Sequence, residues 1–132
     1  YELLNNPNLL TVKNGVYINK NVFIVEAKHD DFTYLEYKMK PNENVRELAL
    51  NKRINEYKIV QKNKDLDFYD ERTGNTILIP NYYCKYIKII LNPDNFLPIS
   101  IQNHDENGLL EQYDYENVIV NPTFKSDYFN ID

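Results

Sequence analysis

Tryptophan is absent from this chain, and there is a single cysteine, Cys84. One cysteine cannot form an internal disulfide, so the fold has to be held by packing and hydrogen bonds. Cys84 sits between Tyr83 and Lys85 beside an apolar run and reads as a buried thiol. A catalytic cysteine needs an oriented histidine and a local means of lowering its pKa, and the neighbouring sequence offers neither. No run of about 18 apolar residues is present, which excludes a membrane-spanning helix within these residues. The HExxH, paired-cysteine, phosphate-loop and nucleophile-elbow patterns are all missing, and with them the most legible enzyme classes. Positive charge is also scarce: 15 Lys and Arg face 20 Asp and Glu, for a net charge of -5. Nucleic-acid binding needs clustered cations to neutralise phosphates. The nearest cluster, Lys52-Arg53 with Lys58, Lys62 and Lys64, is interleaved with Glu56, Asp65 and Asp67 and reads as a solvated face.

What is present suits one domain. A chain of 132 residues that is 42% hydrophobic and 27% charged can bury a useful core. No linker, repeat or low-complexity segment divides it, so residues 1–132 are expected to form one unit. Twelve tyrosines favour strands. Heavy use of Asn, Lys, Ile and Tyr, whose codons are AT-rich, points to a low-GC bacterial genome. No signal-peptide pattern opens the chain, which starts at Tyr1 without Met. The expectation is a processed chain or a piece of a longer one.

The last third is the most regular part. Ile87, Ile89 and Leu91 form one set of alternate positions, and Leu97, Ile99 and Ile101 form another. Tyr113 and Tyr115 alternate with Asp114 and Glu116. A period of two predicts strands with one buried face. The separating turns are Asn92-Pro93-Asp94-Asn95, where Pro presets the backbone, and His104 to Gly108, where Gly108 can take a positive φ. Three strands with short turns make an antiparallel meander. Upstream, Asn14-Gly15 is a hairpin-type signal. Val16 to Ile18 and Asn21 to Ala27 read as strands around Asn19-Lys20. Phe32 to Met39 reads as another strand. Asn44 with Glu47 resembles a capping box, whereas Leu48, Leu50, Lys52 and Ile54 would share a strand face. Tyr57 to Val60, Leu66 to Tyr69 and Thr76 to Ile79 read as further strands, the last two joined by Thr73-Gly74-Asn75. The expected fold is mainly β: a single, highly curved antiparallel sheet with little helix.

The order of landmarks across the meander carries more. Asn92-Pro93, Pro98, the turn ending in Gly108, Tyr113-x-Tyr115-x-Asn117, Asn121-Pro122 and Asp127-Tyr128-Phe129 follow one another. This order resembles the C-terminal part of the LolA-like lipoprotein-carrier superfamily and its sporulation lipoprotein relatives. Lys40-Pro41 with Arg46-Glu47, then Phe68-Tyr69-Asp70 and Thr73-Gly74, is similar to the family's middle strands and tips residues 44–54 toward strand. The resemblance implies a half-barrel in which Asn92, Pro93, Pro98, Gly108, Tyr115, Asn121, Pro122 and Phe129 are structural landmarks. It also implies export, with a signal sequence and a lipidated cysteine ahead of Tyr1 that anchor the full-length protein to a spore membrane facing the cortex. In the germination branch it implies a non-catalytic lipoprotein that binds a zinc-dependent N-acetylmuramoyl-L-alanine amidase. In the carrier branch it implies an apolar cavity for lipoprotein or other acyl chains, here lined by Ile87, Ile89, Leu91, Leu97, Ile99 and Ile101, with Arg46 the nearest echo of a delivery arginine.

No catalytic residue, metal ligand or cofactor is assigned. His29 and His104 each precede acidic residues in predicted turns, where such pairs are commonly solvated. Tyr82, Tyr83 and Tyr86 are the candidate partner-binding residues, since clustered aromatics serve as interface anchors; the other reading packs them on the domain's own core. Open sheet edges also invite exchange of strands, and a strand-swapped homodimer is the expected self-association.

Overall fold

The computed structural model describes residues 9–123. Its largest element is a five-stranded, wholly antiparallel sheet in the order β1-β2-β5-β6-β7. The strands are β1 (Leu10–Tyr17), β2 (Lys20–Lys28), β5 (Tyr86–Leu91), β6 (Pro98–His104) and β7 (Leu109–Asp114). Between β2 and β5 the chain forms a second layer. It holds β3 (Tyr34–Lys38), α1 (Val45–Lys52), α2 (Glu56–Lys62) and β4 (Thr76–Pro80), with β3 and β4 paired in a two-stranded sheet.

The meander of the last third is present as expected. Asn92 closes the first turn, accepting a hydrogen bond from the Asp94 N–H at 2.9 Å, and Pro98 opens β6. The second turn is held by Asp105, whose Oδ1 accepts from the N–H groups of Asn107 and Gly108. Gly108 has φ +128°. A Cβ there would meet open space, so only the backbone resists a side chain. Gly108→Val is therefore expected to cost about 1–3 kcal/mol. A thermal midpoint equal to the parent's would show that the turn tolerates a Cβ. Tyr115 follows β7 and donates its N–H to Ile99 O at 2.9 Å. Asn121, with φ +50°, precedes Pro122. Phe129 lies outside the described residues.

Four sequence expectations are corrected. First, among the described residues, two sheets and two helices replace the single sheet. Residues 45–52 are helical because Asn44 Oδ1 accepts from the Glu47 N–H at 2.9 Å, and Val45, Leu48 and Ala49 fall on one buried helical face. Leu50, a companion of Leu48 in the strand reading, is 72% exposed. Second, Tyr57 to Val60 belongs to α2, capped by Asn55. Leu66 to Tyr69 is a turn braced by Asp67 and Asp70, not a strand. Gly74 therefore leads β4 back to β3, donating its N–H to Met39 O at 3.0 Å. Third, Asn14-Gly15 lies inside β1, where the Ile24 side chain occupies the space a Cβ at Gly15 would need. The hairpin turns four residues later, at Ile18 and Asn19, one residue before the expected Asn19-Lys20; both have positive φ, as a two-residue turn matched to strand twist requires. Fourth, Ile90, the apolar residue of β5 and β6 that is buried, lies on one face with Ser100, while Ile87, Ile89, Ile99 and Ile101 are half-buried on the other face.

The sheet is open but curled. Tyr17 of β1 lies beside Asp114 of β7, from the opposite edge, and residues next to both edges line one hollow of about 870 Å³. Val22, Ile90 and Ser100 are nearly free of solvent on the face that carries Tyr17 and Asp114. The main apolar core is elsewhere, in the second layer, where Met39, Val45, Leu48, Ile54, Ile59 and Ile77 pack together.

Candidate binding groove between the two layers

Where the second layer meets the end of the large sheet, polar groups converge on one carboxylate. Glu111 of β7 stands opposite Asn103 of β6 in the ladder, and Asn103 Nδ2 donates to it at 3.2 Å. Asn55 Nδ2 donates at 2.7 Å from the second layer. The Tyr83 hydroxyl donates at 3.0 Å and the Tyr113 hydroxyl at 3.3 Å. Asn55 is 2% exposed and is also the cap of α2, accepting from the N–H groups of Tyr57 and Lys58. One side chain thus starts a helix and fixes that helix to the sheet. Burial and the adjacent Glu111 carboxylate raise the Tyr83 phenol well above its ordinary value, so it stays a donor.

Cys84 is buried next to this cluster, with Sγ 3.9 Å from Asn103 Oδ1. Burial, reinforced by the Glu111 charge, pushes its thiol up to about 11. At neutral pH it is a packed thiol rather than a thiolate.

A second joint locks the same two layers. Lys58 of α2 is fully buried, and its Nζ meets Asp105 Oδ2 at 2.6 Å and Glu106 Oε2 at 3.4 Å in the β6–β7 turn. Burial works to raise the Asp105 carboxyl. The Lys58 ammonium and the N–H groups of Asn107 and Gly108 outweigh it and hold the carboxyl below its ordinary range.

Beside the Glu111 cluster runs an open groove of about 580 Å³, with Leu50, Arg53, Tyr57, Tyr83 and Tyr113 along it. Leu50 is 72% exposed, Tyr57 53% and Tyr113 49%, so apolar and aromatic surface faces water. Arg46, at the groove wall, is fixed by a fork to Glu56 at 3.0 and 3.1 Å and by the Tyr69 hydroxyl at 2.8 Å. Arg53 and Tyr83 also line a neighbouring hollow of about 400 Å³, which Tyr82, Ile87 and Ile101 share.

The structure separates the three tyrosines singled out in the sequence. Tyr83 lies in the groove. Tyr82, its neighbour, stacks on His29 with ring centroids 3.8 Å apart and donates to Asp31 at 2.9 Å. Tyr86 is on the opposite face of the sheet, donating to Glu26 at 2.6 Å and packing edge-on against His104. Burial, helped by Glu26, pushes the Tyr86 phenol up to about 12. His104 is the last residue of β6 rather than a turn residue, and its Nε2 is buried. Among the described residues, no three His, Cys, Asp or Glu side chains converge as a metal site. Arg46 stands on a helix, not on the strand suggested by its family echo. Sequence reasoning missed Asn55, Asn103, Glu111 and Tyr113 as a set. They are spread over nearly sixty positions, and only the Asn55-Glu56 helix start left a local trace. No family model, curated protein or solved structure matches this chain.

Proposed function

We propose that this chain is a non-catalytic, exported docking module of LolA-like half-barrel type, and that its groove binds a cell-wall amidase. The observation that carries the reading is the groove itself: Leu50, Tyr57 and Tyr113 exposed around a rigid floor. Exposed aromatics on a rigid support suit an interface, because they bury much area and lose little side-chain entropy. The floor is rigid because Glu111 is shared by Asn55, Tyr83, Asn103 and Tyr113. The protonated thiol of Cys84 and the acceptor role of Glu111 leave the chemistry to the partner. The choice of a zinc-dependent N-acetylmuramoyl-L-alanine amidase rests on the resemblance of the last third of the chain to germination lipoproteins. A lipid anchor ahead of Tyr1 would hold the module at the spore membrane beside the cortex.

The half-buried isoleucines favour a second reading, a carrier of acyl chains. Ile87 and Ile101 line one hollow, whereas Leu97 and Ile99 line another at the far end of the sheet. The six apolar residues are thus divided between separate cavities or left on the open face, which suits a long acyl chain less well than a docking surface.

The test is calorimetry of the chain with a purified cell-wall amidase, with amidase activity followed in parallel and a fatty-acid titration alongside. Tyr113→Ala is expected to weaken the complex by at least about 1 kcal/mol, and Tyr113→Phe to keep most of the affinity. Absence of heat with the amidase, together with saturable fatty-acid uptake, would replace docking by carriage.

A further inference from the structure

The edge strand β1 has features that a monomer's edge strand normally avoids. It is eight residues long and pairs with β2 in unbroken register from Leu10 to Tyr17. It contains no proline, and among the described residues no strand is hydrogen-bonded to its outer edge, although its Tyr17 end lies near β7. Natural edges are usually blunted by charge, proline, a bulge or short length. Here the only charge is Lys13, and Glu26 holds it at 2.6 Å on one face. The other face presents Val12, 66% exposed, and Val16, 69% exposed. The opposite edge, β7, is shorter, carries Glu111 and Asp114, and has a register shift at its start.

We propose that two copies of this chain pair antiparallel through β1, about a two-fold axis at Asn14. The two-residue turn at Ile18 and Asn19 makes Tyr17 and Lys20 a closing pair that exchanges both backbone bonds. By alternation, Gly15, Lys13 and Thr11 also bond inward. The N–H and C=O groups of Leu10, Val12, Asn14 and Val16 therefore point outward from the sheet. An axis at Asn14 satisfies those groups and sets Val12 against Val16 of the second copy, twice. β-Branched cross-strand pairs of this kind are favourable. Lys13 falls opposite Gly15 of the second copy and meets no like charge. An axis one residue earlier would set Lys13 against Lys13, which is unfavourable. The strand is thus self-complementary in register, apolar pairing and charge. Val12 neighbours Val25, which neighbours Ile89, so pairing joins the half-buried apolar faces of both copies into one continuous sheet face. No segment is exchanged, which distinguishes this dimer from a strand swap.

The full chain is examined by sedimentation over a concentration series reaching ~100 μM, because a single edge is a small interface with modest affinity. The expected result is a reversible shift to twice the monomer mass. The double variant Val12→Lys, Val16→Lys should remain monomeric throughout with an unchanged circular dichroism spectrum. Asn14→Cys should give a dimer band with a short bifunctional maleimide, while the parent, with only buried Cys84, should give none. A parent that stays monomeric, a double variant that still dimerises, or an Asn14→Cys chain that does not cross-link at dimer-forming concentration would overturn the proposal. Pairing of β1 with a strand of another protein in place of a second copy would overturn it as well.

Discussion

Lys58→Ala is expected to lower the unfolding free energy by about 3–5 kcal/mol, because it leaves a buried carboxylate without its counter-charge. The Lys58 side chain is 2% exposed and that of Asp105 is 8% exposed, so water cannot replace the lost ammonium. The direction of the Asp105 pKa makes the claim separable from simple loss of volume. Folding holds this carboxyl below its ordinary 3.8. Its contribution is therefore complete above that value and is lost as pH falls through the lower, folded value. The deficit of Lys58→Ala should be largest near neutral pH and should shrink in acid, where Asp105 is protonated. Denaturant titrations at the two pH values measure this directly. The double variant Lys58→Met, Asp105→Asn should recover much of the stability, since it removes both charges and keeps the bulk of the side chains. A deficit that is constant with pH and unrelieved in the double variant would mean that Lys58 matters only as packing.

The second large effect is expected at Asn55. Asn55→Ala removes the cap of α2 and a hydrogen bond to Glu111 at once, at a cost of about 2–3 kcal/mol. Asn55→Asp tells the two roles apart. Aspartate caps helices as well as asparagine does, but it cannot donate to Glu111 and sets a second carboxylate against it. If the link to the sheet matters, Asn55→Asp should be at least as damaging as Asn55→Ala. If Asn55→Asp instead matches the parent in thermal midpoint, capping alone explains the residue, and Glu111 does not tie the layers together.

How much of this was readable in advance follows from the range of the interactions involved. The meander was legible because turns such as Asn92-Pro93 and Asp105 to Gly108 are written in adjacent residues. Its facing was not legible. Ile87, Ile89 and Ile90 are equally apolar, so alternation alone cannot say which of them is enclosed, and it is Ile90. The helices were misread where two local signals competed. The Asn44 and Glu47 cap was visible, but eight residues of weak amphipathicity also allow a strand, and tertiary packing of Val45, Leu48 and Ala49 settled it. Asn14-Gly15 has the chemistry of a hairpin turn, yet the glycine serves the close approach of Ile24. Of the groove, Tyr83 was singled out in the sequence, as one of three candidate partner-binding tyrosines. Glu111 was not, because its partners at positions 55, 83, 103 and 113 come together only through the chain's return from the second layer to β5.

The central claim is that the groove between the two layers is the docking surface. The most direct measurement is an amide chemical-shift map of the labelled chain with increasing amounts of a cell-wall amidase. The expected result is that perturbations concentrate at Leu50, Arg53, Tyr57, Tyr83 and Tyr113. Perturbations confined instead to Val25, Ile89 and Leu91 on the open sheet face, or to the hollow at Asn92–Asn95, with residues 50–57 unmoved, would contradict it.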